Sequence, residues 1–248
     1  SDGKYMLPYI EALSNAEQNI YKQASKLKGI ESGRIVLGTF SSVSCHILMP
    51  IIKAFKDAYP NINIEIREGD NLAIESWLAK GSIDFGFIDS PTLPGFETIH
   101  VCRDPFVAVM SEEGVYANRD DIPVEIFEET PMIIVDEGSP KEAGGILRQL
   151  NITPNIVHSS KDNSLILSMI ENRLCLGYMG KLVLTKTPYK IISKPTVPQF
   201  YRDIVLTIKD RNAASVATQK FLEFFEENLE SVLAEIGYAD DKSEEEEK

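Results

Sequence analysis

Short apolar runs alternate with amphipathic stretches along most of this chain, and the clearest example is residues 34–69. Ile35-Val36-Leu37 reads as a strand that ends at Gly38-Thr39. Val43, Ile47, Leu48, Ile51, Ile52 and Phe55 then recur at helical spacing and predict an amphipathic helix docked on a sheet, stopped by Tyr59-Pro60-Asn61. Ile62, Ile64 and Ile66 alternate with Asn63, Glu65 and Arg67 as a second strand, completing a β-α-β unit. Leu72, Ile74, Trp77 and Leu78 mark a short helix closed by Gly81, and the nearly continuous apolar run Ile83 to Ile88 predicts a strand covered on both faces.

A second series of the same kind follows Ser90-Pro91-Thr92-Leu93-Pro94-Gly95. Phe106 to Met110, Met132 to Val135, Asn155 to His158 and Leu174 to Tyr178 are strand-like, with helical patterns at Lys141 to Leu150 and Ser164 to Asn172. Another proline-bearing joint stands at Ser193-Lys194-Pro195-Thr196-Val197-Pro198. Past it come an alternating strand, Ile204 to Ile208, and a long helix from about Ala213 to Ile236 with Phe221, Phe225, Leu229 and Val232 on one stripe. Two joints with β/α units before, between and after them predict an α/β fold of two Rossmann-like lobes joined by two crossing strands. Lobe I is then 33–90 with 195–236, lobe II is 91–194, and the crevice between them is the expected binding site. The loop leaving the first strand would face that crevice, which makes Ser41, Ser42 and Ser44 candidates for touching a small molecule. Any one of them serves equally well as a helix cap.

Residues 1–32 read as one long polar helix with a thin seam. Met6, Leu13, Ile20 and Leu27 recur at sevens, Ile10 and Ala24 fall four residues after Met6 and Ile20, and Glu17 holds the equivalent middle position. Such a seam is too narrow for a globular core and suits a partner helix, so Met6, Ile10, Leu13, Ile20 and Leu27 are the expected dimerisation residues. Residues 237–248 are expected to be a disordered acidic tail.

The formal net charge is −13. The closing Asp240 to Lys248 holds six acids against two lysines, which leaves about −9 on the rest and argues against a grip on nucleic-acid phosphates by this chain. Cys45, Cys102 and Cys175 are scattered, with neither a disulfide framework nor zinc-site spacing, and a reducing compartment fits best. Cys45 beside Ile47 and Leu48 reads as a small core residue rather than a reactive thiol. No apolar run nears the roughly 18 residues of a membrane span, and no signal segment is expected. Nucleotide, zinc-protease and nucleophile-elbow motifs are lacking, and His46, His100 and His158 lie on separate segments as structural residues. The expectation is therefore a protein that is no enzyme and holds no cofactor or metal.

The residues Gly38, Phe40-Ser41-Ser42, Leu48, Pro50, Ile52, Phe55, Tyr59-Pro60, Ile62, Ile64, Ile66 and Glu68-Gly69 together resemble the effector domain of LysR-type transcriptional regulators. So does Leu78-x-x-Gly81-x-Ile83-Asp84-Phe85-Gly86-Phe87-Ile88, and the opening Asp2 to Tyr9 looks like that family's linker helix. The resemblance covers residues 1 to 236. It implies a type II periplasmic-binding-protein-like fold and a cytoplasmic homodimer or homotetramer. It also implies DNA binding through an amino-terminal winged helix-turn-helix domain outside these residues, switched by a small metabolite, a carboxylate by its expected contacts. By family pattern those contacts come from Thr39, Phe40, Ser41, Ser42 and Ser44, from Asp136, Gly138 and Ser139, from Asn163 and Ser164, and from Tyr178. Where the family often has A-A-G-L-G-I-A-L-L-P, this chain has Glu171-Asn-Arg-Leu-Cys-Leu-Gly-Tyr-Met-Gly180, so Arg173 and Tyr178 are expected to reshape that wall. A solute-binding protein of a transport system shares the two-lobed plan and is the alternative reading.

Overall fold

A computed structural model describes residues 32–92, 94–135 and 143–238, together with Tyr5, Met6, Tyr9, Ile10, Leu13, Ala16 and Ile20. These N-terminal residues are helical, and Met6, Ile10, Leu13 and Ile20 of the predicted seam are exposed. Leu27 of that seam, and the tail from 239 on, lie outside the described residues. The chain forms two compact units, one from residues up to Val101 and from Val205 onward, the other Cys102–Ile204.

In chain order the first elements are β1 (Gly33–Thr39), α1 (Ser41–Val43), a π-helical turn (Ser44–Leu48), α2 (Met49–Ala58), β2 (Ile62–Glu68), α3 (Asn71–Ala79) and β3 (Phe85–Asp89). Next come β4 (Glu97–Ser111), β5 (Ile122–Pro123), α4 (Ile126–Glu129), β6 (Met132–Val135), α5 (Ala143–Gln149), β7 (Ile156–Ser160), α6 (Asn163–Glu171) and β8 (Leu176–Gly180). A 3-10 turn (Lys181–Leu184), β9 (Ile191–Val197), β10 (Tyr201–Ile208) and α7 (Val216–Glu235) complete the fold.

In the first unit β1 lies between two parallel neighbours, β2 and β3, and β10 follows β3. Parallel strands need a crossover, and the helical run from Ser41 to Ala58 supplies the first one. Its π-helical turn has a local cause. Pro50 has no N–H to give to the carbonyl of His46 and its ring crowds that carbonyl, and just upstream the ladder widens so that Met49 N–H reaches Ser44 O. Ile47, Leu48, Ile51 and Phe55 of this run are buried. The ring of Phe55 meets Phe221 of α7 edge-on, and Phe221 stacks on Phe85 of β3. The predicted stripe on α7 is thus the cover of this sheet, with Ser215 capping the helix by accepting the N–H of Thr218 at 3.1 Å. Leu72 of α3 is exposed, while Trp77 is half-buried against Gly69.

The division between units falls inside β4 and β10, at Val101/Cys102 and Ile204/Val205, so these two strands carry the chain from one unit to the other. The second proline-bearing segment is not a joint. It is part of β9, which pairs antiparallel with β4 and parallel with β5. The flanking Ile191, Ile192 and Val197 favour a strand, and Pro195, which has no N–H to donate, is tolerated at the last residue pair of the β4 ladder. β5 and α4 were not visible as periodic patterns because each is shorter than a period can reveal.

In the second unit β6 is parallel to both β7 and β8, and β8 is antiparallel to β4. The carboxylate of Asp104 on β4 is wholly buried here. Its Oδ2 accepts from Nε and Nη2 of Arg202 on β10 at 2.9 and 2.8 Å, and its Oδ1 accepts the N–H of Leu182 at 2.9 Å. A Cβ at Gly180 would stand 2.3 Å from that Oδ2, so glycine is what lets the strand end pass this carboxylate. Behind it Tyr178 is fully buried between the rings of Phe106 and Phe127. Its hydroxyl meets no partner at hydrogen-bond geometry among the described residues, and burial pushes the phenol up to about 12 against an opposing pull from the Thr196 side chain. At the end of α6, Arg173 occupies the left-handed region with φ 61°, where helices usually place glycine, and pairs with Glu113 at 3.1 Å on the surface.

Three outcomes follow from these contacts. Asp104→Ala leaves Arg202 and the Leu182 N–H without their acceptor and should lower stability by about 3–5 kcal/mol, read as a fall in the urea midpoint. Tyr178→Phe removes an unsatisfied buried hydroxyl, so its midpoint should stay level or rise; a loss above about 1 kcal/mol would contradict the environment described. Arg173→Gly should be neutral or stabilising by up to about 1 kcal/mol, because relief of the left-handed backbone outweighs an exposed ion pair.

Candidate functional site

In the first unit the candidate site begins where β1 ends. Thr39 is buried, and its carbonyl accepts the N–H of Gly69 at 3.0 Å, which fixes the strand end beside the end of β2. Phe40 is the N-cap of the helical run, with φ −112° and ψ 160°, and its side chain gives no capping hydrogen bond. None of the three serines takes the cap. Ser44 instead turns back on the loop, its hydroxyl 3.3 Å from Thr39 Oγ1 and 3.2 Å from the carbonyl of Phe40. That same carbonyl accepts the Ser44 N–H at 3.0 Å and the Thr39 hydroxyl at 3.3 Å. The loop is therefore held from within by backbone and hydroxyl groups, with Ser41 half-buried and Ser42 buried in the first turn. Thr39, Phe40, Ser41, Ser42 and Ser44 are brought together at a helix start whose partial positive charge no acidic side chain neutralises in the first turn.

A polar pair near this strand end escaped sequence reasoning. Asn71 Nδ2 donates to Asp89 Oδ2 at 2.9 Å, and the Asp89 N–H returns to Asn71 Oδ1 at 3.0 Å, both residues buried. The pair ties the start of α3 to the end of β3. Its available signal was Asp70-Asn71 directly after a strand, an N-cap signature: Asp70 accepts the Ala73 N–H at 2.8 Å.

In the second unit the start of α6 has the opposite electrostatics. Asp162 is the N-cap and its Oδ1 accepts from Ser164 N–H at 2.8 Å and Leu165 N–H at 3.4 Å. Asn163 is half-buried and Ser164 exposed. Tyr178 presents no surface, its ring being enclosed by the core of this unit. Asp136, Gly138 and Ser139 lie outside the described residues.

The expectation for Cys45 is corrected: it is exposed, on the outer side of the helical run, while Ile47 and Leu48 face the core. Cys102 and Cys175 are buried, and burial pushes the Cys175 thiol up to about 11, which keeps it protonated and unreactive. Among the described residues no group of three or more His, Cys, Asp or Glu side chains is placed to hold a metal ion. No helix among them is long and apolar enough to cross a membrane.

Comparison with known proteins adds a family to this geometry. Residues 28–230 match the model of the LysR substrate binding domain. The chain is 27% identical over 227 residues to the uncharacterized HTH-type transcriptional regulator YvbU of Bacillus subtilis, covering 91% of this chain and 77% of that protein. Among solved structures it is similar to the Synechocystis PCC6803 CcmR regulatory domain in complex with 2-PG, with TM-score 0.71 and 15% identity, covering 78% of this chain and 96% of that one. It is also similar to the effector binding domain of QuiR in complex with shikimate, with TM-score 0.67 and 18% identity, covering 78% and 95%. At those identities the structures speak for the fold, which is the type II periplasmic-binding-protein-like fold of LysR regulatory domains. The family match spans most of the chain and is to regulators, not enzymes, so this chain belongs to the LysR-type transcriptional regulators as their effector-binding domain.

Proposed function

We propose that this chain senses a small anionic metabolite and passes the bound state to DNA through an amino-terminal winged helix-turn-helix domain. The observation that carries this reading is the helix start at Phe40, where β1 delivers hydroxyls and backbone N–H groups to a positive helix end with no carboxylate cap. The Asp162 cap at α6 already occupies two N–H groups with a negative charge, so that start favours a hydrogen-bond donor on the ligand over its anionic end. Shikimate, a carboxylate named with QuiR, has both an anionic end and hydroxyl donors, and it sets the class of compound to try first. Membership of a regulator family favours this over the solute-binding alternative.

Assembly is the second part of the proposal. Met6, Ile10, Leu13 and Ile20 are helical positions with exposed apolar side chains, and a second copy of the same residues covers such a seam in a cytoplasmic homodimer or homotetramer. Effector control then works by population shift, with the ligand acting through its different affinity for two arrangements of the assembly.

Two measurements test this. In a thermal-shift screen against hydroxy-carboxylates, amino acids and aromatic acids, a true effector at a hundred times its Kd should stabilise by about 2.7 kcal/mol. Ser41→Asp places a carboxylate in the first turn, so the free protein should keep its stability while the anion's shift disappears; neutral and anionic analogues binding alike would sink the anionic reading. Leu13→Asp should lower the sedimentation-velocity mass toward the monomer, and an unchanged mass would remove the seam from the assembly.

A further inference from the structure

We draw no further inference here: the strongest candidate, the buried phenol of Tyr178 in the core of the second unit, is enclosed by aromatic side chains, and nothing in the structure shows what would meet its hydroxyl.

Discussion

Parallel pairing on both sides of a central strand is the constraint from which the rest of each unit follows. β1 stands between β2 and β3, and β6 stands between β7 and β8, so the chain must return each time by a crossover instead of a hairpin. The strand order β2-β1-β3 in the first unit is repeated as β7-β6-β8 in the second. Close packing makes this possible in the first unit. Gly38 of β1 and Gly86 of β3 are register partners, and added Cβ atoms there would stand 2.7 Å from Ile83 Cδ1 and 2.5 Å from Ile74 Cγ2. The absent side chains are the space into which Ile74 of α3 and Ile83 fit.

A shared plan also fixes where helix starts fall, at the carboxyl ends of the strands, but it does not fix their charge. The first unit begins its long helical run at Phe40 with no side-chain cap, whereas α3 and α6 begin at Asp70 and Asp162, each accepting first-turn N–H groups. Caps of this kind stabilise a helix by about 1 kcal/mol. The run from Ser41 has no such side-chain cap and no acidic residue in its first turn, and Ser44 and Thr39 close on the Phe40 carbonyl instead. On this difference rests the proposal that the first unit takes the anionic end of a ligand.

Burial of polar groups marks the places where sequence composition and packing diverge. Asp104, with no exposure at all, is compatible with the core because Arg202 and the Leu182 N–H meet both of its oxygens, and Gly180 leaves the room for them. Family sequences often end this strand in proline, and here the last position is a glycine beside a buried ion pair. Tyr178 lies on the same strand as a large side chain enclosed by Phe106 and Phe127, and it presents no surface to a ligand. Arg173 departs at the surface, in a left-handed backbone position.

What the sequence by itself determined was periodicity: the β1-helix-β2 unit, β3, β6, β8, α6 and the aromatic stripe of α7 all lie where apolar spacing placed them, because burial on one face or two imposes that spacing directly. The helix-start residues Thr39 to Ser44 were legible for the same reason, as a change of period after a strand. Only the tertiary structure decided the rest. β9 was read as a joint from its prolines, since a ladder to β4 is set by partners some ninety residues away and not by local pattern. The cap position, open to any of three serines, fell to Phe40, because the backbone is still extended there and Ser41 already lies in the first turn. Cys45 came out exposed because it lies on the opposite side of the helical run from Val43, Ile47 and Ile51, which face the core. Asp104 with Arg202, and Asn71 with Asp89, are pairs whose members are remote in sequence, and only the folded chain brings such groups within hydrogen-bonding distance.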